Sequence, residues 1–334
     1  MFVLPTEVQL DVLKCFNFNQ LFSFKLTNFY FYNLINKYEG ELARMKFNSF
    51  YFNDTNPKSN YDIIEPKSGV FSLTLNDQLK NKWQVAIDRS IPLLLHEFKP
   101  ERTFVVISTV DKKTKSLLLK LPNFPKNIEE MIEIRCCLEH LFKCVFVGAY
   151  ISTTIFNPEM INILFDNDKT IPLQFNFQHL FLYAKNKIFE NVLKFVSNHL
   201  TISKFFNISF IGVIITEQRT NILFNILINE GNKFSKIRLE ISNLSRLYDS
   251  IINYITTSRD CSKMVPVIIF YFYSSDSSRV KFSEKAEKIE IVQFDRKTHT
   301  KYQISNIYNP KVKFELYNEE WNGGINSSIY IKRM

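Results

Sequence analysis

Glycine is scarce, with 7 in 334 residues, at positions 40, 69, 148, 212, 231, 323 and 324. Loops that cradle phosphate need glycines so that backbone N–H groups can approach the anion. No G-x-G or G-K-[ST] is present, which excludes the usual nucleotide loops. With only 11 prolines besides, the chain is neither collagen-like nor dominated by linkers. No G-x-S-x-G elbow occurs, and His96-Glu97 is not followed by the second histidine of a zinc-protease helix. A hydrolase is therefore unsupported, and no catalytic residue is assigned. Long apolar runs are missing too. The longest charge-free stretch, Cys144 to Pro158, is interrupted by Thr and Asn and is shorter than the about 20 apolar residues a spanning helix needs. Neither a membrane span nor a membrane partner is expected.

The five cysteines, Cys15, Cys136, Cys137, Cys144 and Cys261, are odd in number and follow no disulfide framework. Met1 to Glu7 lacks a basic segment, and Glu7 and Asp11 interrupt what would be the apolar stretch of a signal peptide. Buried thiols in a reducing compartment, cytoplasmic or nuclear, are expected. Cys137, His140 and Cys144 would share one helix face, but a fourth zinc ligand is missing and Ile134, Leu138 and Leu141 lie on the same face. A buried apolar stripe accounts for them, so no metal and no cofactor is expected.

Lys and Arg total 42 against 33 Asp and Glu, a net charge of +9. Such an excess could serve nucleic acid by neutralising phosphates. The basic residues are scattered, however, and their denser stretches, Lys112 to Lys120 and Arg279 to Lys301, carry acidic neighbours. A solvated surface is expected in preference to a nucleic-acid groove. The composition itself, 46% hydrophobic and 22% charged, is that of a folded protein with room for two or three domains of roughly 100 to 200 residues.

The first 45 residues carry the densest pattern. Leu4-Pro5-Thr6-Glu7 places proline where a first helical turn tolerates its missing N–H and glutamate at the positive end of the dipole. Val8, Leu10, Leu13 and Phe16 then supply an apolar face, and Leu21 to Ile35 continue it through a second and a third short helix. So small a unit has too little interior to bury all of that surface, and some should meet a partner. The register Leu4-Pro5-Thr6-Glu7, Val12-Leu13, Phe16, Leu21, Thr27-Asn28, Phe31, Leu34-Ile35 resembles the F-box family, with Phe16, Thr27 and Phe31 replacing more common leucine, valine and tryptophan. The resemblance implies docking onto a Skp-type adaptor of a cullin ubiquitin ligase, with Leu4, Pro5, Val8, Leu10, Leu13, Leu21 and Phe31 facing or supporting the adaptor.

Beyond a turn-rich segment at 53–60, Leu75 to Leu95 reads as a helix capped by Asn76 and ended by Pro92. Strand-like runs then recur about every 30 residues, centred near 119, 148, 180, 208, 239 and 270. Helical patterns lie between them, among them Asn157-Pro158 onward, Phe189 to Leu200 and Leu244 to Ile255. A strand and a helix at regular spacing predict an α/β chain whose repeats stack as a curved βα solenoid, similar to a leucine-rich-repeat horseshoe. A doubly wound α/β domain is the rival. Short alternating strands from residue 285, with a turn at Gly323-Gly324, are expected to form a small β-rich cap. The expected organisation is a three-helix F-box over 1–45, a linker and helical transition over 46–100, the solenoid over 101–284 and the cap over 285–334.

Alternation along the strands assigns Leu180, Leu182, Ile237, Leu239, Ile241, Ile268, Phe270 and Phe272 to the core. It leaves His179, Phe181, Tyr183, Arg238, Glu240, Ile269, Tyr271 and Tyr273 on the other face. Aromatic residues and arginine are what protein-recognition surfaces favour, so His179, Phe181, Tyr183, Arg238, Glu240, Tyr271 and Tyr273 are candidate contacts for a protein substrate. The function expected is that of a non-catalytic substrate receptor; the alternatives are a scaffold unrelated to ubiquitin and a basic nucleic-acid binder.

Overall fold

The computed structural model describes residues 4–53, 61–64, 73, 75–97, 103–109, 115–166, 168, 170–242, 245–273, 285–294, 297–321 and 326–334. Three short helices come first, α1 (Thr6–Lys14), α2 (Phe18–Lys25) and α3 (Phe29–Lys37). They are followed by β1 (Lys46–Asn53), β2 (Tyr61–Ile64), α4 (Asp77–Asp88), β3 (Leu94–His96), β4 (Phe104–Thr109), β5 (Ser116–Leu119) and α5 (Ile128–Phe142). Next are β6 (Val145–Ile151), β7 (Thr154–Phe156), α6 (Pro158–Phe165), β8 (Phe175–Tyr183), α7 (Phe189–His199), β9 (Leu200–Ser209), α8 (Glu217–Asn229), β10 (Lys236–Glu240), α9 (Ser245–Thr257) and β11 (Val267–Tyr273). Four strands close the chain, β12 (Glu287–Phe294), β13 (Lys297–Ser305), β14 (Lys313–Trp321) and β15 (Asn326–Arg333).

Asparagine starts many of the helices, because its side-chain oxygen takes an N–H that the first turn leaves without a partner. Asn76, Asn127 and Asn157 accept from Leu79 (2.7 Å), Glu130 (2.8 Å) and Glu159 (3.1 Å). Pro158 follows Asn157 in the first turn of α6, which Asp166 ends in the left-handed region at φ 44°.

Thirteen strands form one mixed sheet in the order β12-β13-β14-β15-β11-β10-β9-β8-β6-β1-β4-β5-β2, and β3 pairs with β7 in a separate ribbon. The stretch from β1 through β6, β8, β9 and β10 to β11 is parallel. Antiparallel pairs flank it, with β4 and β5 on one side and β15 to β12 on the other. Because β6, β8, β9, β10 and β11 follow one another without reversal, right-handed crossovers put α6, α7, α8 and α9 on the same face. The burial of the strands agrees. Phe50, Ala149, Leu180, Phe206, Ile237, Ile268, Ile331 and Leu316 form one cross-strand row, each at most 5% exposed, and all belong to the main core with Leu138, Leu164, Val192, Leu227 and Ile251 of the helices. Two polar ties pin this layer. Trp83 donates to the Ile163 carbonyl at 3.0 Å, joining α4 to α6, and the buried Tyr248 and Tyr302 hydroxyls meet at 2.7 Å, joining α9 to β13.

This architecture overturns the expected solenoid with its cap. The N-terminal helices do not lead into stacked repeats; β1, from the segment assigned to a linker, inserts between β6 and β4 in the middle of the sheet. Residues 285–334 are no cap either, since β15 pairs with β11 along seven residues and extends the same sheet. The regular spacing reflects the length of a strand-helix-strand crossover, which any parallel sheet with short connections shares, so the period carried no information about curvature. The doubly wound rival fails as well, because the parallel strands from β6 to β11 advance in one direction and leave one face without helices among the described residues. The helix predicted over 75–95 ends at Asp88, and Leu94 to His96 form β3 instead, once Pro92 has broken the pattern. The 54–60 part of the expected turn and the Gly323-Gly324 turn lie outside the described residues.

Gly231 lies where α8 turns toward β10; its N–H donates to the Lys263 carbonyl at 2.8 Å, and a Cβ there would stand 2.4 Å from the Met264 carbonyl oxygen. Gly231→Ala should therefore displace the segment before β11 and lower stability by about 1–3 kcal/mol in denaturant titration. His199, 2% exposed at the end of α7, donates from Nδ1 to the Leu173 carbonyl at 3.0 Å, and burial holds its pKa below the usual imidazole value. The unfolded chain then binds the proton that the folded chain refuses, so this contribution is complete above about pH 6.5 and is lost as pH falls below it. Thermal melts from pH 7 to pH 5 should show a declining midpoint, with a shallower decline in His199→Gln; equal slopes would show that His199 has no part in it.

Candidate functional site

The head, residues 4–42, closes its own small interior. Leu13, Leu21, Phe31, Leu34, Ile35 and Leu42 form a core separate from that of the sheet, with Leu10, Phe16, Phe24 and Tyr38 packed around it. Phe24 meets Phe31 at 4.3 Å between ring centroids and Phe16 at 5.6 Å, edge to face. Asn17 and Gln20 exchange side-chain hydrogen bonds with each other's backbone at the start of α2. Gln9, 2% exposed, ties the entry segment down: its amide donates to the Leu4 carbonyl at 2.6 Å and accepts from the Tyr30 hydroxyl at 2.8 Å.

The seven residues expected to face or support an adaptor thus divide. Leu4, Pro5 and Val8 are exposed, Leu10 is half-buried, and Leu13, Leu21 and Phe31 fill the head's interior. Sequence reading missed the rest of the surface. Val12, Phe22, Leu26, Phe29, Tyr30 and Tyr32 are exposed as well, Leu26 at 70% and Phe29 at 77%. The signal was the near-continuous apolar run from Leu21 to Ile35, which has more apolar positions than one face of so short a pair of helices can bury.

The second surface is the sheet face without helices. Register sets Tyr51, Tyr150, Phe181, Asn207, Arg238, Ile269, Tyr330, Tyr317 and Lys301 side by side across nine strands. Tyr183, Ser209, Glu240, Tyr271 and Ser328 make the next row. The structure therefore brings His179, Phe181, Tyr183, Arg238, Glu240 and Tyr271 onto one face, while the side chain of Tyr273 lies outside the described residues. Phe181 is 41% exposed and the neighbouring Tyr150, which sequence reading passed over, 53%. The rings of Tyr150 and Tyr183 lie 5.4 Å apart, and Phe181 meets Phe205 edge to face. The Arg238 guanidinium stacks on Tyr271 at 4.2 Å and reaches a Glu240 carboxylate oxygen at 3.6 Å. Between these long side chains Asn207 and Ser209 are 3% and 1% exposed, and their Oδ1 and Oγ have no hydrogen-bond partner among the described residues. Ile269, expected to be exposed, is 4% exposed in the row between Arg238 and Tyr330. At the far end of the face burial pushes the Tyr51 hydroxyl up to about 12, with Tyr61 beside it at 3.4 Å.

Cys137, His140 and Cys144 line a cavity at the head-to-sheet junction instead of converging on a point. His140 Nδ1 donates to the Cys136 carbonyl at 2.7 Å and the Cys144 thiol to the His140 carbonyl at 3.1 Å. Burial pushes Cys137 up to about 12 and Cys144 up to about 11, so both are neutral thiols at ordinary pH. Among the described residues no group of His, Cys, Asp and Glu could hold a metal ion, and no helix is long and apolar enough to cross a membrane.

Loss of the Gln9 bridge should loosen the entry segment before anything else. Gln9→Ala is expected to raise amide hydrogen exchange across residues 4–13 by an amount equivalent to about 1–3 kcal/mol, leaving exchange in β8 and β9 unchanged.

A family model described as a domain of unknown function (DUF8381) matches residues 64–211, which runs from the end of β2 through β9 and leaves out the head and everything from α8 onward. No curated protein and no solved structure matches the chain.

Proposed function

We propose that the chain is a non-catalytic substrate receptor of a Skp-cullin-F-box type ubiquitin ligase, resident in the cytoplasm or the nucleus. The observation that carries this reading is the composition of the head: its interior is closed by residues no later than Leu42, yet Leu4, Val8, Val12, Phe22, Leu26, Phe29, Tyr30 and Tyr32 stay exposed around it. So much apolar surface on so few residues is the character of a contact face. Leu4 and Pro5 open the register that resembles the F-box, and Val8 belongs to the set the resemblance turns toward the adaptor. In this reading Leu13, Leu21 and Phe31 hold the helices in place from within while the exposed set meets the adaptor.

The helix-free sheet face takes the protein target. Its exposed Tyr150 and Phe181 and the stacked Arg238 and Tyr271 are side chains that contribute strongly to interfaces when buried. Asn207 Oδ1 and Ser209 Oγ, without partners among the described residues at the floor of the same face, are acceptors a bound chain would satisfy after small side-chain movements. Such a receptor needs no bond chemistry of its own. Holding the target close to a charged ubiquitin-conjugating enzyme raises its effective concentration, and that proximity is the mechanism.

Co-expression of the full chain with a Skp adaptor, followed by affinity capture of the adaptor, tests the reading. Retention of the chain is expected, with Leu4→Asp and Val8→Asp together weakening it by about 2 kcal/mol or more. Tyr150→Ala with Phe181→Ala should leave it intact while removing co-captured targets. Absence of retention, or retention indifferent to the Leu4 and Val8 changes, would favour a scaffold unrelated to ubiquitin.

A further inference from the structure

The junction between head and sheet forms a cleft, partly open to solvent, of about 460 Å³, within the roughly 300–1,000 Å³ usual for small-molecule sites. Phe47, Ile107, Leu117 and Leu119 form its wall on the sheet side, Leu141 of α5 a second wall, and Phe18 with Met45 the side toward the head. The neutral thiols of half-buried Cys137 and buried Cys144 add to the apolar lining. Its charged residues are Glu39, Arg44, Lys143 and, when protonated, the exposed His140. Lys143 is already shared between the carboxylates of Glu39, at 3.2 Å, and Glu139, at 3.1 Å. Arg44 has no side-chain hydrogen bond or ion pair among the described residues, so its guanidinium stands at the apolar chamber without a direct partner, although Glu39 and Glu139 balance the charges of Arg44 and Lys143 over the junction as a whole.

We infer that this cavity is a binding site for a small amphipathic carboxylic acid, its apolar body against Phe47, Leu117 and Leu119 and its carboxylate on Arg44. Guanidinium is suited to that task because its fork of N–H donors matches the two oxygens of a carboxylate. The site does not depend on the receptor reading, since neither the exposed face of the head nor the helix-free face of the sheet contributes to it.

Titration calorimetry of the full chain with dodecanoate, below its micelle concentration, tests the assignment, with dodecyltrimethylammonium as the cation of equal chain length. Saturable one-to-one binding of dodecanoate is expected, at least about tenfold tighter than the cation, and Arg44→Glu should weaken it by at least about tenfold. Leu117→Trp should abolish it by filling the chamber. Should Leu117→Trp fail to melt like the wild type, Met45→Trp, at a more exposed wall position, serves the same purpose. No saturable binding, equal affinity for the two detergents, or binding unchanged in Arg44→Glu and in the tryptophan variant would each overturn the proposal.

Discussion

A strand order that advances in one direction commits all of its crossover helices to one side of the sheet, and the consequences of that handedness run through the whole molecule. The covered side holds the core, where Phe50, Leu180, Ile237 and Ile268 stand in register against the helices. The other side has to be made compatible with water or with a partner. This chain meets the demand by alternation: inward positions of the parallel strands are almost all apolar, while outward ones carry Tyr150, His179, Tyr183, Lys236, Arg238 and Glu240. Amphipathic side chains such as the Arg238–Tyr271 stack shield the backbone between them and leave polar tips at the surface. The cost is local: two short polar residues, Asn207 and Ser209, are overshadowed by their longer neighbours and keep acceptors without partners among the described residues.

The head is governed by a different limit. Three helices of eight or nine residues enclose an interior of only six buried apolar side chains, and none of them is long enough to be stable in isolation. Polar pins compensate, with Gln9 between Leu4 and Tyr30 and the reciprocal Asn17–Gln20 cap replacing some of the order that packing cannot supply. The apolar residues left over cannot be accommodated by rearrangement inside so small a unit.

What was legible in the sequence follows from how strongly each segment carries its period. The runs centred near 148 and 270 are found as the strands Val145–Ile151 and Val267–Tyr273, because dense apolar runs bounded by breaks make unambiguous strands. Parity placed His179, Phe181, Tyr183, Arg238, Glu240 and Tyr271 on one face without any knowledge of the fold, since alternation is a property of the strand alone. β1 was not seen, because Lys46-Phe47-Asn48-Ser49-Phe50 resembles a turn-rich transition until β4 and β6 are known to bracket it. α8 escaped because Thr220, Asn221 and Asn225 dilute its apolar face, Leu223, Ile226 and Leu227, and its cap, Thr216, has no proline beside it. Sheet order was beyond reach altogether, for it depends on pairings between segments separated by up to about a hundred residues, and a regular crossover length fits many orders equally well.

The junction between head and sheet joins these two regimes. The ion pair from Glu39 to Lys143 is partly exposed, and pairs of that kind contribute no more than about 1 kcal/mol, too little to fix how the head is carried. The backbone bond from Val145 N–H to the Met45 carbonyl, at 2.8 Å, anchors only the point where the chain enters β1. Between these two ties the apolar surfaces of Phe18, Met45, Phe47 and Leu119 face one another across open volume instead of interdigitating. A cleft of this kind forfeits dispersion contacts that close packing would give, so the seat of the head on the sheet is only loosely packed.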